Sequence, residues 1–251
     1  MSRIAINGIC GRMGRALVEI ISKTEGAEVA FGIDKFGSLN DNIAVFNSLS
    51  EINLKKPDVI IDFSHFSAVP ELLSYCVENE IPVVICTTGL GDNEKNLIKE
   101  ASLKIPVFYS ANMSIGIALV KMLAQKAAQF LGDDFDIEIV ERHHNQKLDA
   151  PSGTALAIAD SINSAMDEKF NYVYDRHAVR AKRTKTEIGI SAVRGGSIVG
   201  DHEVIFAGPN EVIEIQHHAQ SRNVFADGAV RAALYLIGKP AGLYNMEKML
   251  G

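Results

Sequence analysis

The densest run of chemistry-bearing side chains is Glu141-Arg142-His143-His144-Asn145-Gln146-Lys147-Leu148-Asp149-Ala150-Pro151-Ser152-Gly153-Thr154-Ala155. Two adjacent histidines and a nearby lysine are costly to bury, so the run predicts the lining of a wet pocket. Histidine exchanges protons near neutral pH, and a partly desolvated lysine can donate one. Ser152-Gly153-Thr154 stands where an alanine-rich helix begins, and the free N–H groups of such a start are a ready carboxylate seat. The run therefore reads as a pocket for a small anionic substrate that needs a proton during reaction. Plain N-capping is the competing reading for Ser152 and Thr154. His217-His218 and Arg222 could add basic groups to the same pocket. Four histidines without a carboxylate or cysteine at ligand spacing do not make a metal site, so none is expected. Arg194-Gly195-Gly196 reads as a strand-to-turn junction, and His65, His177 and His202 read as loop or surface residues.

A second constellation opens the chain. Gly8-Ile9-Cys10-Gly11-Arg12-Met13-Gly14 follows a strand and opens a helix, the context a phosphate-cradling turn requires. Its G-x-x-G-x-x-G spacing departs from G-x-G-x-x-G because Cys10 takes the middle position. Asp34 ends the second strand, where an acid can accept hydrogen bonds from an adenosine ribose, favouring NADH. Lys35 beside it could instead meet a 2′-phosphate, so NADPH stays open. Asp62-Phe63-Ser64, Cys86-Thr87-Thr88-Gly89 and Ser110-Ala111-Asn112-Met113 close three further strands. In a parallel sheet these ends line the ligand crevice, where hydroxyls and amides can hold a carboxamide.

The elements that must position these residues are legible as periods. Ile4–Asn7, Val29–Ile33, Val59–Ile61, Pro82–Cys86 and Val107–Tyr109 are short apolar strands. Helical spacing separates most of them, at Ala16, Leu17, Ile20 and Ile21 and over about residues 70–79 and 92–103. This alternation predicts an α/β chain with a Rossmann-type, doubly wound parallel sheet. After a helix over 114–130 the pattern changes. Phe135–Ile139, parts of Ile188–Val193 and Ile213–Ile215 alternate strictly, predicting a second α+β domain with an open, mixed sheet. A last helix over Ala226–Ile237 is stopped by Gly238 and Pro240. The segment 168–186, rich in Lys, Arg and Asp, is the expected mobile loop or surface excursion.

Composition sets the outer bounds. The chain has 251 residues, enough for one large or two modest domains. Its formal net charge of −6 argues against a broad nucleic-acid or anionic-membrane surface. No apolar run approaches the length of a membrane span, and no signal peptide is expected. Cys10, Cys76 and Cys86, odd in number and set in apolar runs, suit a reducing, cytoplasmic compartment.

The motif His143-His144-x-x-Lys147-x-Asp149-Ala150-Pro151-Ser152-Gly153-Thr154-Ala155 resembles the signature of the 4-hydroxy-tetrahydrodipicolinate reductase (dihydrodipicolinate reductase) family. Gly8-x-x-Gly11-Arg12-Met13-Gly14, Thr87-Thr88-Gly89, Ala111-Asn112-Met113-Ser114 and Ser221-Arg222…Phe225-Ala226-x-Gly228-Ala229 fit the same pattern, in order, along the whole chain. The resemblance implies an NAD(P)H-dependent reductase of the diaminopimelate route to lysine, acting on a cyclic dicarboxylate and assembled as a homotetramer. It implies a dinucleotide-binding domain over 1–114 with 225–251, and a substrate-binding and oligomerisation domain over 115–224. By matched position, Gly8, Ile9, Cys10, Gly11, Arg12 and Met13 would cradle the pyrophosphate, and Asp34 with Lys35 would meet the adenosine end. Cys86, Thr87, Thr88, Ser110, Ala111, Asn112 and Met113 would line the nicotinamide. His143 would be the proton donor/acceptor and Lys147 the second acid. His144, Lys147, Gly153 and Thr154 would hold the carboxylates, joined by Ser152 from the helix start. Cys86 stands where a glycine is common. Met113 stands where a phenylalanine is common, which would soften stacking on the nicotinamide. The alternatives are another two-domain nicotinamide dehydrogenase, which need not carry the histidine motif, and a non-catalytic NAD(H)-binding sensor.

Overall fold

A computed structural model describes residues 1–37, 43–177 and 179–251. In chain order the strands and α-helices are β1 (Ser2–Asn7), α1 (Arg12–Lys23), β2 (Ala27–Ile33), β3 (Val45–Phe46), β4 (Val59–Asp62), α2 (Val69–Glu78), β5 (Val83–Ile85), α3 (Asp92–Ser102), β6 (Pro106–Tyr109), α4 (Ile115–Leu131), β7 (Asp136–His143), α5 (Gly153–Ser164), β8 (Asn171–Val173), β9 (Glu187–Arg194), β10 (Asp201–Ala207), β11 (Val212–His218), α6 (Asn223–Leu236), β12 (Gly242–Tyr244) and α7 (Met246–Leu250). They form two compact units: Met1–Ser114 with Asn223–Gly251, and Ile115–Arg222.

The first unit is built on a seven-stranded sheet in the order β12-β6-β5-β4-β1-β2-β3, parallel throughout. Its strands are apolar on both faces because both are covered. Ala5, Ile60, Val83 and Ile85 pack with Val69, Leu72 and Cys76 of α2 and Ile98 and Ala101 of α3. The alternate residues Ile4, Ile6, Ile61 and Val84 are equally buried, and with period 2 they face the other way, toward α1 and α6. Helix α1 follows its apolar spacing, burying Gly14, Leu17 and Ile21. Strand order reverses beside β1, which pairs with β2 on one side and β4 on the other. The carboxyl ends of β1 and β4 thus flank the topological switch point.

The second unit carries a five-stranded mixed sheet, β11-β10-β7-β9-β8. β7, β8 and β9 run parallel, while β10 runs antiparallel to β7 and β11. Val120, Ala124 and Ala128 of α4 and Ala155, Ile158 and Ile162 of α5 pack on Ile137, Ile139, Ile188, Ile190, Val204 and Phe206. The opposite face holds Val193 and Val212, which are 45% and 58% exposed.

The segment 168–186, expected as a mobile loop or surface excursion, is a mostly exposed surface excursion tied along this sheet. β8 pairs with β9. Arg176 contacts Glu187 at 2.7 Å and Glu138 at 2.8 Å, and Arg183 contacts Asp136 and Glu138 at 3.0 Å. Ala178, within that segment, lies outside the described residues.

Candidate active site

The alternation of β7 puts Glu141 and His143 on the helix-covered face, two residues apart. Strand register then brings in partners distant in sequence. His143 sits opposite Arg194 of β9, and Glu141 sits opposite His202 of β10. Four ionisable side chains therefore meet at one end of the sheet.

Glu141 is the hub and has no exposed surface. Arg194 grips it with two nitrogens, Nη2 on Oε1 at 2.7 Å and Nη1 on Oε2 at 2.8 Å. The Ser152 N–H donates to Oε1 at 3.0 Å, and His143 Nδ1 lies 2.6 Å from Oε2. Burial works to raise the Glu141 pKa, but the Arg194, His143 and Ser152 hydrogen bonds outweigh it and hold the carboxyl below the ordinary glutamate value. An ionised carboxylate only accepts, so the His143 Nδ1 carries the proton. Nε2 is left as the nitrogen for exchange, and it faces Gly200, where a Cβ would stand 3.0 Å away.

His202 corrects an expectation. It is a core residue, only 4% exposed, with its ring edge-on to His143 at a centroid distance of 5.2 Å. Burial, then the neighbouring His143, push its pKa down to about 4, so it is neutral at physiological pH. Its Nε2 is 3.0 Å from Ser152 Oγ, and Nδ1 is buried with no hydrogen-bond partner.

Ser152 is also corrected. Its Oγ accepts the Ala155 N–H at 3.1 Å and meets His202, while its own N–H goes to Glu141. This serine is buried and fully engaged as the N-cap of α5, so the capping reading holds. Gly153, the first residue of α5, is exposed, and Thr154 is half-buried. Lys147 Nζ lies 2.9 Å from Asp149 Oδ1, and the Lys147 N–H donates to the His144 carbonyl at 3.2 Å. His144 is half-buried. Arg194 Nη2 also donates to the Asp149 carbonyl at 2.5 Å, so the Arg194 junction anchors the whole motif. His218 pairs with Asp201 at 3.2 Å, and burial, ahead of the neighbouring His218, lowers the pKa of His217.

In the first unit the glycine turn fits a dinucleotide pyrophosphate. Gly8 has φ +83, and a Cβ there would stand 2.6 Å from the Phe63 carbonyl oxygen. A Cβ on Gly14 would overlap the carbonyls of Gly8 and Ile9, so α1 starts directly on the turn. No side chain caps α1 and its first turn holds no acid, which leaves its leading N–H groups and positive dipole end for an anion. Gly11 and Arg12 are exposed, and Cys10 and Met13 are half-buried. Ile9 does not offer a side chain: it is fully buried against Gly32, leaving only its backbone for a ligand.

Asp34 closes the turn. Its Oδ2 accepts the Cys10 N–H at 2.9 Å and its Oδ1 accepts the Phe36 N–H at 3.1 Å, with lone pairs remaining on each oxygen. Lys35 Nζ is 5.6 Å from the Phe36 ring centre. Asp62 is the unforeseen hub of this edge. It is fully buried and accepts from Asn7 Nδ2 at 2.8 Å, Ser64 Oγ at 2.6 Å and Thr87 Oγ1 at 2.6 Å. Burial raises its pKa against those hydrogen bonds.

Cys86 and Thr87 are buried beside Asp62, and burial pushes the Cys86 thiol well up, so it is not a nucleophile. Met113 is buried too, under Gly228, where a Cβ would overlap the Met113 carbonyl. The side chains of Cys86, Thr87 and Met113 thus support the strand ends from behind. Thr88 and Ala111 are exposed and Ser110 and Asn112 half-buried at the same ends. Among the described residues no His, Cys, Asp or Glu cluster is arranged to hold a metal. No helix there is long and apolar enough to cross a membrane.

Comparison with known proteins agrees with both halves. Residues 2–113 match the family profile described as dihydrodipicolinate reductase, N-terminus, and residues 116–250 match that family's C-terminus. A 4-hydroxy-tetrahydrodipicolinate reductase of Clostridium tetani is 50% identical over 250 residues, covering 100% of this chain and 97% of that protein. One from Caldanaerobacter subterraneus subsp. tengcongensis is also 50% identical over 250 residues, covering 100% of this chain and 98% of that protein. The solved structure of dipicolinate-bound dihydrodipicolinate reductase from Paenisporosarcina sp. TG-14 aligns with a TM-score of 0.80 at 27% identity, over 98% of this chain and 97% of that one.

Proposed function

The chain belongs to the dihydrodipicolinate reductase family, and on that premise we propose how its residues divide the reaction. It is an NAD(P)H-dependent oxidoreductase that reduces 4-hydroxy-tetrahydrodipicolinate, with loss of water, to tetrahydrodipicolinate in the diaminopimelate route to lysine. NADH or NADPH, when bound, supplies the hydride. The unit formed by residues 1–114 with the C-terminal segment is the dinucleotide-binding domain. The backbone of Gly8 to Met13 and the start of α1 hold the pyrophosphate. Asp34 offers its remaining lone pairs to ribose hydroxyls, and Lys35 is placed to meet a 2′-phosphate. Thr88, Ser110, Ala111 and Asn112 present polar groups and backbone to the nicotinamide.

The unit formed by residues 115–222 binds the substrate. Lys147, His144, Gly153 and Thr154 hold its carboxylates, since cations and the positive dipole end of a helix start favour anions. His143 Nε2 supplies the proton that balances hydride addition, with Lys147 as the second acid. The observation that carries this reading is the Glu141 carboxylate 2.6 Å from His143 Nδ1, which fixes the ring and leaves Nε2 for exchange. We further propose a cytoplasmic homotetramer. The exposed Val193 and Val212 on the helix-free sheet face support assembly, and three free cysteines suit a reducing compartment.

The test follows loss of reduced-nicotinamide absorbance with NADH and with NADPH in parallel. The preceding synthase generates substrate in situ from pyruvate and aspartate semialdehyde. Turnover is expected only when that synthase is present, and the ratio between cofactors reports whether Asp34 or Lys35 governs the adenosine end. Absence of turnover with either, in a sample shown to bind NADH, would contradict the assignment.

A further inference from the structure

The Asp149 carboxylate makes the contacts expected of a substrate carboxylate. Its Oδ1 lies 2.9 Å from Lys147 Nζ, and its carboxyl is held below the ordinary aspartate value, first by Lys147 and in smaller part by the Gly153 N–H at the start of α5. The side chain is 57% exposed, against 21% for Lys147, so the acid is the solvent-side member of the pair. The Asp149 main chain is held separately, through its carbonyl on Arg194 Nη2 at 2.5 Å. A χ1 rotation therefore withdraws the carboxylate while the loop stays in place. Apart from its chain neighbours and the backbone of α5, nothing lies within 4 Å of where a Cβ on Gly153 would stand, so that helix start has room for a ligand. The single Gly153 N–H cannot serve the Asp149 carboxylate and a ligand carboxylate at full strength together.

We propose that Asp149 is an internal occupant of the carboxylate seat, which the substrate displaces on binding. This rests on the reading that Lys147 and the α5 start hold a substrate carboxylate. It makes Asp149 a specificity-determining residue. Only a ligand whose carboxylate outcompetes a tethered one gains the seat, and a neutral analogue leaves Lys147 paired. Apparent affinity is lowered by the fraction of molecules in which Asp149 sits in place.

The experiment titrates dipicolinate, in the presence of NADH, into the wild type, Asp149→Asn, Asp149→Ala and Lys147→Ala, at low and high salt. Both Asp149 variants are expected to bind dipicolinate about two- to fivefold tighter, the range that loss of an exposed ion-pair competitor allows, and to lower KM without raising kcat. The gain should shrink at high salt, which screens the exposed Lys147–Asp149 pair that competes with the ligand, and a gain that grows with salt would overturn the proposal. Unchanged or weaker binding by both variants would overturn it as well. If Lys147→Ala binds dipicolinate as tightly as wild type, the underlying placement of the carboxylate seat is what fails.

Discussion

His143 is oriented by a carboxylate two residues earlier on the same strand. That pairing was within reach of the sequence: residues i and i+2 of an alternating strand share a face, so Glu141 had to stand beside His143. Arg194 and His202 were not legible, because only strand register brings them to Glu141. The exposed character assigned to His202 failed for the same reason. Glu141→Gln should reduce kcat by roughly ten- to a hundredfold, as loss of an orienting partner does for other histidines. It should also lower the melting temperature, since Arg194 would keep a half-buried charge without its counterion. Steady-state kinetics and a thermal melt on the same sample check both.

His202 makes a separate prediction. Its native pKa of about 4 lies below the ordinary histidine value of about 6.5. Between those values the unfolded chain binds a proton that the native protein refuses, so stability rises with pH across the window and falls on acidification. The loss is at most about 3 kcal/mol. Glu141 and Asp149, held below their ordinary values, lose their stabilising contribution only at lower pH. Melting temperatures at about pH 7 and about pH 5 should therefore differ less for His202→Asn than for the wild type. Parallel drops would count against a neutral buried His202.

At the scale of elements, the long periodic segments were readable and the short ones were not. The apolar strands of the first unit and the alternating β7 carry clear periods. β3, β8 and β12 span two or three residues each, too few to show one. β12 adds an edge strand beside β6. Close packing of α6 is written in one residue, Gly228, whose missing side chain admits the Met113 carbonyl. Gly228→Ala should cost about 1–3 kcal/mol by overpacking, read as a lower unfolding midpoint in urea. A midpoint equal to wild type would mean that α6 and Met113 separate freely.

For the whole molecule, the division of labour follows from two sheets of different kind, each with its own core. The C-terminal family match runs to residue 250, while in space Asn223–Gly251 joins the first unit. Sequence-adjacent segments thus part company, and the return of α6 came to the sequence reading from family resemblance rather than from its period. Assembly was equally opaque to periodicity, since an exposed valine on a strand reads the same whether solvent or a second chain covers it. Light scattering should give a tetramer for the wild type, and Val193→Asp with Val212→Asp should yield smaller species. A monomeric wild type would refute assembly through that face.

The most direct measurement of the proposed chemistry is His143→Ala, assayed for turnover with synthase-generated substrate and for NADH binding by fluorescence. His143 belongs to the second unit, whereas the glycine turn and Asp34 belong to the first. Turnover should fall by roughly a hundred- to ten-thousandfold with the NADH dissociation constant within about twofold of wild type. An unchanged turnover number would contradict the role of His143 as the proton source.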